Sequence, residues 1–327
     1  MSFFLEGGRG RQAFVCSCCR AVFLFFVFVF LSVIYYLTLV SPFFFFFFST
    51  PFQQVERIFE ADGLADAFNF PAGSLQKFVH NLGTRYLANY YHNMWHAADV
   101  CFTTWHLLHE TGAVDWLSHL EQLGALLASY GHDVGHPGVN NMFLVQTQSD
   151  LALLHNDYSP LENMHSAILA GVLRDTKLLE GFSPADSRTL RAISISAILG
   201  TDMVHHFSQL SDLRVFYEAY GCLMPSHGGS DPSLVFAKDD SKRRFLIDMF
   251  VHAADINNPA KEWVACQAWS FLAMDEFWSQ GDRERDLGLP VAPMYDRTIT
   301  NVPVTQMNFA EYLAFPLFLV RAHTPLL

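Results

Sequence analysis

Three observations predict an all-α fold, a compact multi-helix bundle. From about residue 53 onward apolar residues recur at helical spacing, strand-like alternation bounded by hairpin turns is scarce, and glycine and proline gather at connections such as GHPG, CLMPSHGG and GLPVAP. Of the 327 residues 51% are hydrophobic, which is enough for a sizeable core. No repeat of fixed period divides the chain.

The first element is a hydrophobic segment, residues 1–52, set apart from a domain at 53–327. Residues 21–40, AVFLFFVFVFLSVIYYLTLV, are uncharged over the length needed to cross a hydrocarbon core of about 30 Å, so this segment is a candidate single transmembrane helix. It exceeds the apolar region of a signal peptide, about 7–15 residues, and no small-residue cleavage site follows. Pro42 ends it, and six phenylalanines follow. Such a phenylalanine tract is also what a pyrimidine-rich untranslated stretch would encode, so a gene-model artefact is the alternative. Arg9, Arg11 and Arg20 precede the run and the next basic residue is Arg57, which would leave the N-terminus in the cytosol and the remainder outside. Cys16, Cys18 and Cys19 sit where a juxtamembrane thiol is acylated.

The domain then reads as helices. Good examples are SLQKFVHNLGTRYLANYYHNMWHAADVCFTTWHLLHE and RRFLIDMFVHAADINNPAKEWVACQAWSFLAMDEFW. A formal charge of −12 argues against DNA or RNA as partner, because a phosphate-binding surface shows clustered Lys and Arg. Part of the acidic surplus is expected to be neutralised by bound cations. Six cysteines without an even framework fit a reducing compartment; Cys101, Cys222 and Cys266 are expected as small core residues.

Histidine and carboxylate are concentrated in this domain. In YHNMWHAADV, read as a helix, His92 and His96 lie four apart on one face, with Asp99 near the same side. SYGHDVGHPGVNN repeats the spacing with His132 and His136 and adds Asp133; VHAADINNP supplies Asp255; NDYSPLENMH holds Glu162 and His165; LGTDMVHH holds Thr201, Asp202, His205 and His206. Any one cluster is also what a buried helix with satisfied histidines shows. Together they are what a helical bundle needs to build a two-metal centre. Two cations close together require several neutral imidazoles and a bridging carboxylate. Nitrogen-rich coordination suits zinc, and a neighbour held by carboxylate and water suits magnesium or manganese.

The ordered set YHNxxHAxDV, HDxxHPG, LEN, TDM, HxADxxNP, QGDRE and QxxFxxYxxxPL, spread over residues of about 53–320, resembles the catalytic domain of class I cyclic nucleotide phosphodiesterases, of the wider His-Asp metal phosphohydrolase type. The resemblance implies hydrolysis of 3′,5′-cyclic nucleotides in cyclic nucleotide signalling, cyclic AMP favoured and cyclic GMP allowed. It implies His96, His132, Asp133 and Asp255 as ligands of a tight Zn2+ site, with Asp133 bridging to Mg2+ or Mn2+. His136, Glu162 and Thr201 would hold the second ion's waters, and a hydroxide between the ions would be the nucleophile. His92 matches the proton donor to O3′ of the ribose, and Tyr91 and Asn93 the same wall. Gln306 and Phe309 match the residues that read and stack on the purine. Tyr91, Met203, Ile256, Asn258 and Met294 match pocket positions, as do Trp269, Ala273 and Phe277. Asn258 resembles the cyclic-AMP-preferring members. The small Ala273 and Cys266 imply a roomier pocket, and Asp99 is expected to have a packing role.

The family carries more helix before the first motif than residues 53–90 provide and more after PLF than VRAHTPLL, so both ends are expected to be cut. Localisation follows the first element: a membrane if 21–40 is a true anchor, with the catalytic domain expected in the cytosol against the charge rule, and the cytoplasm otherwise. Two rivals stand beside this expectation. Another His-Asp phosphohydrolase would keep the metal ligands without needing Gln306 and Phe309. An inactive nucleotide-binding paralogue would not need His92.

Overall fold

The computed structural model describes residues 50–220, 236 and 239–319. Every regular element among them is helical. The candidate span at 21–40, the phenylalanine tract and Cys16, Cys18, Cys19 and Cys222 lie outside the described residues. Among the described residues no helix is long and apolar enough to cross a membrane.

Helices α1 (Pro51–Glu60), α2 (Leu64–Ala67) and α3 (Ser74–Gly83) lead into α4 (Met94–Glu110) and α5 (His119–Gly131). Two short helices, α6 (Asn141–Gln146) and α7 (Asp150–Leu154), precede the long pair α8 (Pro160–Thr176) and α9 (Pro184–Leu199). Then come α10 (His206–Tyr220), α11 (Asp240–Asp255), α12 (Trp263–Asp286), α13 (Val302–Phe309), a π turn at Ala310–Ala314 and α14 (Phe315–Phe318).

The middle of the bundle is α5, because its sequence LEQLGALLASYG has apolar or small residues on all sides and every residue from Glu121 to Gly131 is buried. It packs against α4, α9 and α11. Fully buried leucines such as Leu123, Leu126 and Leu127 each contribute about 1.5–3 kcal/mol. Gly124 permits a close approach: a Cβ there would stand 2.6 Å from Cγ2 of Ile193 on α9. Ser118 caps α5 in a reciprocal box with Glu121, whose other oxygen accepts from Arg243 Nε at 2.7 Å and ties in α11. Buried Phe59, Phe78 and Tyr130 meet edge to face, and Tyr130 donates to the Val79 carbonyl at 2.9 Å, so α1 and α3 belong to the same core.

The long helical stretches expected from periodicity are interrupted where the site lies. Residues 74–110 split into α3 and α4 because Asn93 caps α4, accepting from the amides of Trp95 at 2.8 Å and His96 at 3.3 Å. Residues 243–278 split at INNPAKE, where Pro259 has no N–H to continue the ladder. The expectation that His92 and His96 share a helical face is therefore corrected: His92 precedes the cap and only His96 is helical. The same holds for His132 and His136, because α5 stops at Gly131 and His136 lies in a turn beyond it. That turn uses Gly135 at φ 81° and Gly138 at φ 72°, conformations costly for other residues.

Candidate active site

Helix ends supply the polar groups. His96 lies in the first turn of α4, His132 caps the C-terminus of α5 with Asp133 next to it, and Asp255 is the last residue of α11. Glu162 lies in the first turn of α8, and Thr201 follows the Gly200 cap of α9. Five elements thus aim short polar ends at one place, while their apolar middles build the core.

His96, His132, Asp133 and Asp255 meet with ligand atoms within 4.8 Å of one another. Nε2 of His96 is 3.2 Å from Nε2 of His132 and 3.1 Å from Oδ1 of Asp255. Nε2 of His132 is 3.0 Å from Oδ2 of Asp133 and 3.3 Å from Oδ1 of Asp255, and the His96–Asp133 separation is 3.5 Å. A tetrahedral shell with bonds of about 2.0–2.1 Å has edges of about 3.3 Å, so the donor set fits a single cation. Its chemistry fits too. Nδ1 of His132 donates to the Ser129 carbonyl at 2.8 Å, leaving Nε2 for a metal. Burial opposes ionisation of Asp133 and Asp255, but the neighbouring imidazoles, His132 foremost, outweigh it and hold both carboxyls below their ordinary range.

His92 is placed by a lattice of bonds outside any helix. Asn89 Nδ2 donates to the carbonyls of His92 at 2.8 Å and His136 at 2.7 Å. Glu276 of α12 accepts from the backbone amides of Tyr91 at 2.8 Å and His92 at 3.0 Å through Oε2, and pairs through Oε1 with Nδ1 of His92. The rings of His92 and His96 are 5.9 Å apart and perpendicular, while His92 stacks on His136 at 3.9 Å. His92, His136 and Glu276 also converge closely enough to hold an ion. However, both oxygens of Glu276 are engaged, so this trio is better fitted to holding a proton. Burial pushes the His92 ring down, yet the charge of Asp133 and the bond to Glu276 outweigh it and lift it to about 9. His136 is pushed well below its usual value by burial and by His92; its Nδ1 accepts from the Gly138 amide at 3.0 Å, so the proton is on Nε2.

These groups form the floor of a cavity of about 1270 Å³. Asp133 and Asp255 line it, with His96 and His132 buried beneath. His136, Glu162 and Thr201 line it too. Burial, then the charge of Asp202, raises Glu162 to about 7, and Asn141 donates to it at 2.9 Å. Tyr91, Asn258, Trp269, Ala273 and Phe277 line it as well, and Met203, Ile256, Met294, Gln306 and Phe309 complete the sequence-predicted pocket positions among the lining residues. Cys266 is not among the lining residues; it is half-buried behind Ser270, whose hydroxyl is 2.7 Å from the Cys266 carbonyl. Asn93 acts as cap, and Asp99 is buried in an ion pair with Lys261 at 2.9 Å. Sequence reasoning missed Glu276, Asn89, Asn141 and Lys261. The available signal for Glu276 was its position one turn before Gln280 of QGDRE, on the helix face that also carries Ala273 and Phe277.

A family model described as 3′5′-cyclic nucleotide phosphodiesterase matches residues 91–324. The rat 3′,5′-cyclic-AMP phosphodiesterase 4C is 36% identical over 266 residues, covering 80% of this chain and 48% of the relative. The human dual specificity calcium/calmodulin-dependent 3′,5′-cyclic nucleotide phosphodiesterase 1C is 34% identical over 262 residues, covering 79% of this chain and 34% of the relative. The chain thus spans about half the length, or less, of these curated relatives. Among solved structures, the phosphodiesterase domain of Salpingoeca rosetta rhodopsin phosphodiesterase superposes with a TM-score of 0.74 at 28% identity, covering 82% of this chain and 78% of that one.

Proposed function

The chain belongs to the 3′5′-cyclic nucleotide phosphodiesterase family, and from that membership and the site geometry we propose that it hydrolyses 3′,5′-cyclic nucleotides to 5′-monophosphates, cyclic AMP in preference to cyclic GMP. One observation carries the reading. A four-donor cluster of metal-ligand dimensions lies at a cavity that is also lined by a paired imidazole, His92, and by Gln306 and Phe309.

His96, His132, Asp133 and Asp255 would hold Zn2+. Asp133 would be shared with Mg2+ or Mn2+, whose waters His136, Glu162 and Thr201 would bond. Bound there, the two cations supply Lewis acidity and a water of lowered pKa. Water adds to phosphorus and gives up one proton to solvent, the P–O3′ bond breaks, and O3′ takes the proton of His92 Nε2, which the ring regains from solvent. Glu276 on Nδ1 keeps that ring protonated and turned toward the cavity. Gln306 and Phe309, three apart on α13, share a face and grip the base by amide and ring. The cyclic-AMP preference is supported by Asn258, which lines the cavity with its Nδ2 2.5 Å from the Tyr91 hydroxyl and which resembles the cyclic-AMP-preferring members. Gln306 and Phe309 in the cavity count against a phosphohydrolase that ignores the base, and the His92–Glu276 pair counts against an inactive paralogue.

The test is hydrolysis by the full chain of cyclic AMP and cyclic GMP, with chelator and after readdition of Zn2+ with Mg2+ or Mn2+. Turnover lost on chelation and regained with metal is expected, and His92→Ala is expected to lower kcat by about 10²–10⁴-fold. A folded, metal-loaded sample that turns over neither nucleotide would sink the proposal.

A further inference from the structure

A second cavity, of about 390 Å³, lies along the seam between α8 and α9 and shares no lining residue with the first. Its size falls within the range of about 300–1,000 Å³ usual for small-molecule pockets. The two helices pack against each other, but several residues at the seam are small: Ser166 and Ala170 on α8, and Ser187 and Ser194 on α9. Side chains of that size do not reach across, so the cleft is not filled from within. Its bed is aliphatic. Leu169 and Leu190 are buried, and Leu173, Leu179 and Ile195 are half-buried around them. No aromatic residue lines the cleft, so it offers no face on which a purine or another flat ring would stack. Its charge runs against that of the chain. Arg174, Lys177 and Arg191 outnumber the single lining carboxylate, Glu180, whereas the chain as a whole has 32 Asp and Glu to 20 Lys and Arg. Arg174 pairs with Asp175 at 3.2 Å and Lys177 with Glu180 at 3.6 Å. The guanidinium of the exposed Arg191 has no ion pair or hydrogen bond among the described residues, so the cleft keeps one uncompensated positive charge.

We propose that this cleft binds a free fatty acid of medium chain length, with the hydrocarbon tail along the aliphatic bed and the carboxylate on Arg191. Each property of the cleft selects one part of that ligand. An aliphatic bed without rings favours a flexible chain over a planar heterocycle, and the methylenes it removes from water supply affinity. Along α8 the lining runs from Ser166 to Lys177, a rise of about 16 Å at about 1.5 Å per residue, which gives an extended chain room to lie. One free guanidinium matches one carboxylate, which it holds by two parallel N–H···O bonds. A phosphate monoester brings close to two charges and finds only one uncompensated cation. A neutral lipid leaves Arg191 unused. The assignment stands apart from the cyclic-nucleotide reading, because no residue of this cleft belongs to the catalytic cavity.

The experiment titrates the full chain at neutral pH with dodecanoate below its micellar concentration, by calorimetry. Dodecanol supplies the tail without the charge, and acetate the charge without the tail. The titrations are repeated on Arg191→Gln and on Ala170→Phe. Saturable one-to-one binding of dodecanoate is expected, with dodecanol weaker by about tenfold or more and acetate not bound. Arg191→Gln is expected to weaken dodecanoate by about tenfold or more, the worth of a hydrogen bond to a charged group, and to leave dodecanol unchanged. Ala170→Phe fills the cleft and is expected to remove both. Arg191 is exposed, so its replacement leaves the fold intact; should Ala170→Phe misfold, Ala170→Leu puts a smaller side chain in the same place. Equal binding of dodecanoate by all three proteins would put its site in the catalytic cavity or on the apolar residues 21–40, and overturns the inference. Absence of saturable binding overturns it too, as does equal affinity for dodecanol, which would assign the cleft to a neutral apolar occupant. If dodecanoate does not bind and Ala170→Phe changes the oligomeric mass of the chain, the occupant is a second copy instead.

Discussion

Glu276 does two jobs with one carboxylate. Its Oε2 accepts from two backbone amides and so fixes the bend that carries His92, while Oε1 holds the ring by Nδ1. Of the three charges that keep His92 protonated, Asp133 and Asp255 are the ones that cations would neutralise, which leaves Glu276 to sustain the proton in the loaded enzyme. A raised imidazole value keeps the acid charged at neutral pH and discharges it on the basic side, so kcat/KM is expected to fall there. Glu276→Gln removes the charge and leaves burial to push the ring down, which moves the falling limb to lower pH. A pH–rate profile with the same basic limb in both proteins would rule out this role. The four candidate ligands could be named from the sequence through the resemblance of its ordered motifs, and the structure brings those four side chains together. Glu276 could not be, because its partner lies 184 positions away and nothing in local spacing links them.

At the scale of elements, the periodicity gave the helices and misjudged where they stop. The i, i+4 argument for His92 with His96, and for His132 with His136, reached the correct neighbourhood for the wrong reason. Each pair straddles a helix end, and the ends were encoded by Asn93 and by the glycines at 135 and 138, which signal caps and turns rather than faces. Helix ends suit a metal site because their unpaired backbone groups order the flanking residues, as Ser129 O orders His132. The connection from α11 to α12 has a separate anchor: Lys261 and Asp99 are both buried, and Asn257 Nδ2 donates to Thr103 Oγ1 at 2.8 Å. This holds Ile256 and Asn258, which directly follow Asp255, against the helix that carries His96. Lys261→Met would leave the Asp99 carboxylate buried and unpaired, and is expected to lower unfolding free energy by about 3–5 kcal/mol in urea titration. The double change with Asp99→Leu is expected to recover much of that loss. A single change that leaves stability within about 1 kcal/mol would mean the pair does not anchor the connection.

For the molecule as a whole, the formal charge of −12 makes the placement of carboxylates a determinant of stability, and Asp248 is a costly one outside the site. It lies on α11, half-buried against α9, where Ser196 donates to Oδ2 at 2.6 Å and Oδ1 is buried without a partner. Burial is the main cause of its rise from 3.8 to about 7, opposed by the Ser196 bond and by the charge of Arg244. A folded-state value raised above the unfolded one gives a contribution that is fully present below pH of about 4 and is lost as pH climbs through about 7. The difference corresponds to about 4 kcal/mol at most. Asp248→Asn keeps an oxygen for Ser196 and removes the charge, so its melting temperature is expected to exceed that of wild type at pH 8 and to converge on it near pH 4. Thermal unfolding across that range decides the matter, because equal curves at pH 8 would mean that Asp248 is solvated in the folded protein and that the α9–α11 contact opens to water there.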